Sequence, residues 1–584
     1  MSIFSSPKIK YIFFAIIILA AILRFYNLSD PDMFDDEVYY ALRGIGYLDY
    51  LGSTLQSTPI YWFDPFPGWA RLSMHDHPPL TFLVNKIFFS IFGVSVFVAR
   101  LPSVLAGLAS VLLLYLIGKK MFGPRAGLAA AAIFAIGDFS VWVNRTGLME
   151  SVVIMLILLA WYLFLLALEN KNYLYFWGAA LGVSWLAKYT AFPLLPICLI
   201  YLAVSNRRHF KDYRLYLSIL VAILIFSPVI IYNLMLFKET GHFDLQFAAL
   251  FNQNVPEWQT LTQKESGTLF QNFIEIFSGL PSVFSPATLA LAVAGIIYSV
   301  YQAVKILSDK YEPQQISEQY VKHSEPVRDK KQSHLLLLLF LIFYTLLLIV
   351  IKPLQRFLTY YLLFFPLFIS AFFAFCLRRS KPADKKIIAV LAAVFLIYEL
   401  AFSINTNLLP LSVGPANLAW SLVRPYTADF GINKLDKYLN AELQNKYSAG
   451  VPKTGNNFLD EMISKNFEKY KVGKTPEPIL LVYNTHLHEA ATLWNFDRRF
   501  LYQGWPAIFV DDFYRLLDEQ GVKQFTGYNI YYITGTEYSL WRDAGLFTSA
   551  AIDLEAQLKS QGNAPDLINN HVNLPVFKIY KFSL

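Results

Sequence analysis

Charge and cysteine are what this sequence is short of. Only 16% of its 584 residues are Asp, Glu, Lys or Arg, against 55% hydrophobic and 17% aromatic. A water-soluble chain of this length needs more charge than that to cover its surface. There are two cysteines, Cys198 and Cys376, both inside apolar runs, so neither a disulfide framework nor a thiolate metal site follows from them. No glycine-rich phosphate loop is visible, so nothing points to a bound nucleotide. No repeat of fixed period is evident, which weighs against a repeat-built transporter. The formal net charge is +7, but the basic residues collect in loops between apolar runs. That is a sign of membrane topology, not of a nucleic-acid surface.

What the sequence does have is apolar runs of membrane-crossing length, recurring to about Asn405 and then ceasing. They predict an α-helical polytopic membrane protein of about eleven spans, at roughly 10–28, 96–118, 126–143, 150–168, 173–188, 190–204, 214–236, 283–306, 334–351, 357–377 and 387–405. The first run has a basic flank, Lys8 and Lys10, but no small-residue cleavage site, and reads as a retained helix. Pro79–Phe92 is apolar but short and contains Asn85 and Lys86. If it lies at the outer surface without crossing, the loops holding Lys119, Lys120 and Arg125, Arg207 and Arg208, and Arg378 and Arg379 all become cytoplasmic. So does the polar insert 308–333. The first outer loop, 29–95, then carries eight acids against three Lys/Arg, and 237–280 forms a second outer loop. After residue 407 the charge becomes mixed and turn signals appear, which predicts an extracytoplasmic α/β domain over 408–584 following a transmembrane domain over 1–407. The compartment expected is a plasma (cytoplasmic) membrane, with both the first loop and the C-terminal domain outside it.

The first outer loop opens on Phe34-Asp35-Asp36-Glu37. Three adjacent carboxylates repel one another and are costly to desolvate. A helix cap explains one or two of them, because carboxylates are favoured at a helix N-terminus. Chemistry explains them too: a carboxylate beside another, partly buried, has its pKa raised toward that of a useful general base. Further on comes His75-Asp76-His77-Pro78-Pro79-Leu80. His and Asp at alternate positions can supply ligands to a divalent ion, or His77 and Asp76 can hydrogen-bond a sugar or phosphate. A polar turn held by the prolines is the plainer account. Basic residues stand at the outer ends of predicted spans: Arg24, Arg100, Arg145, Lys188 and Arg356, with Glu150 five residues after Arg145. Each alone can be a snorkelling side chain, but together they form a positive belt suited to a phosphate-bearing lipid.

At these residues the chain resembles the GT-C glycosyltransferases, in particular the branch with protein O-mannosyltransferases and lipid A aminoarabinose transferases. The resemblance runs through Arg24, Asp36-Glu37, His77-Pro78-Pro79-Leu80, Arg100-Leu101-Pro102-Ser103, Arg145 with Glu150, and Lys188. It is good over about residues 8–200, weak over 330–405 through Arg356, Tyr360, Tyr361 and Pro366, and slight beyond. It implies a sugar donor on a polyprenyl phosphate, used at the outer or lumenal face, with Asp36 as the general base or its orienter. Relatives commonly carry Asp where this chain has Glu150, and Asp35 lengthens the usual acidic pair. Metal use varies among such enzymes, so the resemblance leaves open whether His75, Asp76 and His77 hold one.

The function so implied is inverting transfer of a sugar from polyprenyl phosphate to a hydroxyl acceptor on protein, lipid or glycan. Asp36 and Glu37 would be the catalytic residues, with Asp35, His77, Arg24, Arg100, Arg145, Glu150, Lys188, Arg356 and Tyr360 at the substrates. No cofactor is required beyond a divalent ion at most, and no nucleic acid is involved. The alternatives are a flippase of a lipid-linked sugar, which predicts functional charges at mid-membrane, and a noncatalytic polymer-binding protein.

Overall fold

The computed structural model describes residues 4, 6–52, 56–205, 207–258, 268–309, 325–424, 429–542 and 547–584. Much of the predicted insert 308–333 and part of the second outer loop lie outside them. Seven segments among the described residues are long and apolar enough to cross a membrane: Val96–Phe122, Glu150–Ala167, Tyr213–Thr240, Pro286–Lys305, Gln332–Ile351, Gln355–Arg379 and Pro382–Asn407. Pro124–Ile136 and Asp138–Arg145 make an eighth if that pair, bent by 59°, is one span. The protein is thus a multi-pass membrane protein.

The other predicted spans are helices of a different kind. Pro7–Phe25 is 19 residues long and carries Lys8, Lys10 and Arg24. Tyr173–Ala187 is 15 residues and Leu194–Ser205 is 12. At about 1.5 Å per residue, each of these two falls short of the roughly 30 Å hydrocarbon layer. The break between them is at Lys188, whose backbone is extended (φ −167°, ψ 144°). Tyr173–Ala187 packs closely on Tyr213–Thr240 through small residues: a Cβ on Gly178 would lie 2.1 Å from the Ser218 carbonyl oxygen. Such backbone proximity is what associates helices where apolar side chains gain nothing from leaving lipid.

Leu80–Phe92 has 13 residues and ends at Gly93, in a positive-φ turn (φ 80°). Ser95 then caps Val96–Phe122, its hydroxyl accepting the Val98 N–H at 3.3 Å. The short helix buries Phe82, Asn85 and Phe89 and leaves Leu83, Ile87, Ile91 and Phe92 exposed. Its inner face meets the helix Asp36–Gly46, where Gly44 leaves room for Asn85.

The C-terminal region contains a five-stranded sheet in the order Ala507–Phe509, Ile479–Tyr483, Asn529–Gly535, Pro575–Phe582, Asp566–Asn569. The first three strands are parallel and the remaining pairings antiparallel. Ile479–Tyr483 is buried at every position, as a strand covered on both faces requires. This α/β region rests on the first loop. The Asp32 carboxylate accepts the backbone N–H groups of Phe430 (2.6 Å), Ile432 (3.2 Å) and Asn433 (2.7 Å), capping the helix Ile432–Glu442 from another part of the chain. The Tyr502 hydroxyl donates to the Leu42 carbonyl at 2.9 Å, and the Asn456 amide to that of Ile60 at 2.9 Å.

Arg100 holds the loop to the membrane helices. Its guanidinium donates to both Glu37 oxygens (2.6 and 3.0 Å) and to the carbonyls of Leu28, Pro31 and Asp32 (2.8, 2.9 and 3.0 Å). Glu37 also accepts the Gly147 N–H at 2.7 Å. Arg100 and Glu37 are both buried, and breaking such a pair leaves an uncompensated charge. Arg100→Met is expected to lose about 3–5 kcal/mol of stability, and Asp32→Ala, a lost cap, only about 1–2 kcal/mol. Thermal unfolding in detergent gives the ranking; the reverse order would mean that the C-terminal contact, not Arg100, holds the loop.

Candidate active site

Asp35 precedes the helix Asp36–Gly46 with a left-handed backbone (φ 52°) and makes no capping bond. A cap is therefore not the reason for its carboxylate, and a non-glycine residue held there stores strain of a kind common at functional sites. The turn aims Asp36 at Arg356, 320 residues away, in a direct ion pair. The Tyr40 hydroxyl, one helical turn on, donates to Asp36 Oδ2 at 2.8 Å and lies 3.3 Å from His77 Nε2. Asp35 stands 3.6 Å from Arg356 and is half exposed.

The two neighbouring carboxylates are driven apart. Burial pushes Asp36 up, but Arg356, His77 and the Tyr40 hydroxyl outweigh it and hold the group below the usual carboxylate range. Burial and the charge of Asp36 push Asp35 up. The sequence predicts a raised pKa for the general base; the structure gives that rise to Asp35 and keeps Asp36 an anion. The physical reason is the guanidinium, which adjacency in sequence cannot reveal.

Beside this pair lies a cavity of about 210 Å³ lined by Asp35, Glu37, Trp142, Thr146, Leu354 and Arg356, among others. A second ion pair stands nearby: Lys188 Nζ is 2.5 Å from Glu150 Oε1, both buried. The Lys188 ammonium and the Arg356 guanidinium lie 5.0 and 5.1 Å from the centre of the same Phe357 ring. Two cations and their acids thus converge on one aromatic ring.

Behind Tyr40 is a third cluster. His77 Nδ1 is 3.0 Å from Asp76. Asp76 accepts from Arg43 Nη1 at 2.8 and 3.0 Å, and Asp49 stands 2.9 Å from His75 Nδ1 and 3.5 Å from Arg43 Nη2. Burial is outweighed by Arg43 and the two histidines, which hold Asp76 well below its ordinary range. Ligand atoms of Asp49, His75 and Asp76 lie within 4.8 Å of one another, a donor set that suits a divalent cation. The predicted set was His75, Asp76 and His77; Asp49 takes the place of His77, whose Nε2 side faces Tyr40. Arg43 already supplies positive charge between the two carboxylates, so a cation there has to compete with it.

Three of the predicted phosphate-binding arginines have other partners. Arg24 donates to Asn144 Oδ1 (3.0 Å) and to the carbonyls of Ala20, Phe134 and Ala135. Arg145 donates to the carbonyls of Leu23 and Tyr26 (3.0 and 2.6 Å), closing the end of Pro7–Phe25. Arg100 binds Glu37, so both catalytic candidates are ion-paired, one to a wall and one at the mouth. Tyr360 is buried, sharing a hydrogen bond with the Thr190 hydroxyl. Sequence reasoning missed Tyr40, Arg43 and Asp49. The first two were within reach: residues 36, 40 and 43 share one helical face.

Comparisons with known proteins agree with this architecture. The model of the dolichyl-phosphate-mannose-protein mannosyltransferase family matches residues 76–232, a stretch holding His77, Glu150 and Lys188 but neither Asp36 nor Arg356. The chain is similar to "Putative mannosyltransferase YkcB" of Bacillus subtilis (strain 168), 27% identical over 234 residues, which are 39% of this chain and 31% of that relative. This chain therefore matches under a third of that protein's length. In fold it is similar to ArnT from Cupriavidus metallidurans in the apo state (13% identity, TM-score 0.51, 98% of both chains covered). It is also similar to the oligosaccharyltransferase of Archaeoglobus fulgidus in the apo form (14% identity, TM-score 0.50, 91% of this chain and 70% of that one). The resemblance to the GT-C glycosyltransferases holds in sequence and in fold.

With Arg43 as counter-ion to Asp49 and Asp76, EDTA is expected to leave the melting temperature unchanged. Arg43→Met should lower stability by roughly 3–5 kcal/mol, as for other broken buried pairs. A drop caused by EDTA alone would instead put a cation in the cluster.

Proposed function

We propose that this protein is an inverting glycosyltransferase that moves a sugar from a polyprenyl-phosphate donor to a hydroxyl acceptor at the outer face of the membrane. The observation that carries the reading is the Asp36–Arg356 pair beside a cavity, with Lys188 against the same Phe357 ring. The matching family model names a dolichyl-phosphate-mannose donor, which makes a mannosyl group the first sugar to test. The outer location rests on the basic loops, which the positive-inside rule assigns to the other side.

Arg356 and Lys188 are the cations for the donor phosphate. The donor phosphate, a diester with one negative charge, competes with Asp36 for Arg356, and the exchange frees a carboxylate that is already ionised. Asp36 then accepts the acceptor's hydroxyl proton while that oxygen bonds to the anomeric carbon. The bond from that carbon to phosphate oxygen breaks on the opposite side and its electron pair leaves with polyprenyl phosphate. The leaving phosphate is a weak base, so charge stabilisation matters more than protonation. Tyr40, bonded to Asp36 and close to His77, fixes the carboxylate's orientation, where an error of an ångström is costly.

Sugar transfer from polyprenyl-phosphate mannose in proteoliposomes, offered protein, lipid and glycan acceptors, is the test. Asp36→Asn should lower the rate about 10²–10⁴-fold, the usual share of a general base, with donor binding retained. Equal rates would remove Asp36 from the chemistry. Movement of the labelled lipid across the bilayer without transfer would favour the flippase. Asp138 and Glu399, buried in the spans and bonded to Asn407 and Ser285 instead of to a base, are the observation on that side. Arg356→Gln removes the largest of the groups that oppose burial and so raises the Asp36 pKa. The base form is then lost at a higher pH as the solution is acidified, so the acidic limb of kcat/KM should move upward. An unmoved limb would mean that Asp36 does not titrate in the reaction.

A further inference from the structure

A second cavity, of about 640 Å³, lies where the membrane helices meet the α/β region. Its wall includes Arg145, Arg424, Lys434, Lys437 and His571, against the acids Asp30 and Asp429. Lys434 is paired with Asp429 at 2.7 Å. Arg145 is fixed by the backbone carbonyls at the end of Pro7–Phe25, and Arg424 donates to those of Asn405, Thr406, Leu409 and Pro410 (2.8, 3.2, 2.9 and 2.6 Å). Carbonyl bonds orient the Arg145 guanidinium without cancelling its charge and Lys437 is exposed, so Arg145, Lys434 and Lys437 outnumber Asp30 and Asp429.

The other side of this cavity is apolar, with Leu408, Leu409, Pro410 and Leu411 in its wall. The helix Pro382–Asn407 exposes Ile387, Val390, Leu391, Val394 and Ile397 in the half away from the cavity, an apolar face that suits contact with lipid. The loop that follows it exposes Leu411 (63%), Val413 (68%) and Leu418 (59%), and Leu411 also lines the cavity. This loop is built, not slack. The Asn405 amide donates to the carbonyls of Val413 and Ala419 (2.7 and 2.9 Å), the Tyr398 hydroxyl to that of Leu418 (2.8 Å), and the Trp420 indole to that of Gly414 (3.0 Å). The loop is thus pinned with its apolar side chains outward, at the end of a helix with an exposed apolar face.

We propose that this cavity binds the phosphate headgroup of an anionic membrane phospholipid, whose acyl chains run beside Leu411 and Leu418 into the adjoining leaflet. Charge surplus selects the anionic headgroup, and the apolar loop selects a lipid over a soluble phosphate ester. The site differs from the Asp36 cavity: Arg145 lines the one and Thr146, the next residue, the other. Bound lipid would brace the join between the membrane helices and the α/β region, independently of any transferase activity.

The test is native mass spectrometry of the purified full chain in micelles holding equal phosphatidylglycerol and phosphatidylcholine. The wild type should retain phosphatidylglycerol preferentially, and Lys434→Gln/Lys437→Gln should reduce that preference roughly five-fold for each lysine removed. Lys437 is exposed, as is much of Lys434, and Lys437→Gln alone serves as the second variant if the pair fails to fold. No preference in the wild type, or the same preference in a folded variant, overturns the proposal. Full displacement by millimolar glycerol 3-phosphate also overturns it, since the site would then take a soluble phosphate ester.

Discussion

The buried bonding of Arg100 is the constraint on which the arrangement of this molecule depends. One guanidinium, on the second turn of Val96–Phe122, reaches both oxygens of Glu37 and three carbonyls between Leu28 and Asp32. It fixes where the chain leaves the first helix and where the next one starts. A lysine has neither the planar fork nor the number of donors for this. Burying a charge is tolerated here because its hydrogen-bonding groups face an oxygen. With Glu37 held against the Gly147 N–H, the preceding turn projects Asp36 toward the helix ends that bear Arg356 and Lys188.

Around that anchored turn, acids and bases alternate. Asp36 meets Arg356, Glu150 meets Lys188, and Asp76 meets Arg43. Each pair joins separate segments of the chain, so the site exists only when the first loop, the helix mouths and the turn at Gln355–Leu363 are assembled together. Balanced pairs keep the charges inexpensive until a ligand of stronger charge arrives.

The loop between Leu28 and Val96 is also the surface on which the C-terminal region rests. Asp32 caps a helix of that region while the carbonyl of the same residue accepts from Arg100. A single residue thus ties the α/β region to the arginine that positions Asp36.

The membrane class, the acidic loop and the change of character after residue 407 were legible in the sequence, because hydropathy and charge are sums over local residues. Asp36, His77, Lys188 and Arg356 were legible as candidates because charge at the mouth of an apolar helix is locally conspicuous. Which arginines face the cavity was not. Arg24, Arg100, Arg145 and Arg356 look alike in sequence, and only packing decides that the first three meet carbonyls, an amide or Glu37 while the last meets Asp36. The direction of the Asp36 pKa failed for the same reason: adjacency to Asp35 is written in the chain, whereas the guanidinium that reverses its effect comes from 320 residues away. Where the apolar runs break into separate helices was also left to the tertiary structure, as at Lys188, where an extended residue pairs with Glu150. Local chemistry named the groups, and long-range packing chose their partners, because Coulomb and hydrogen-bond energies depend on distance in space and not along the chain.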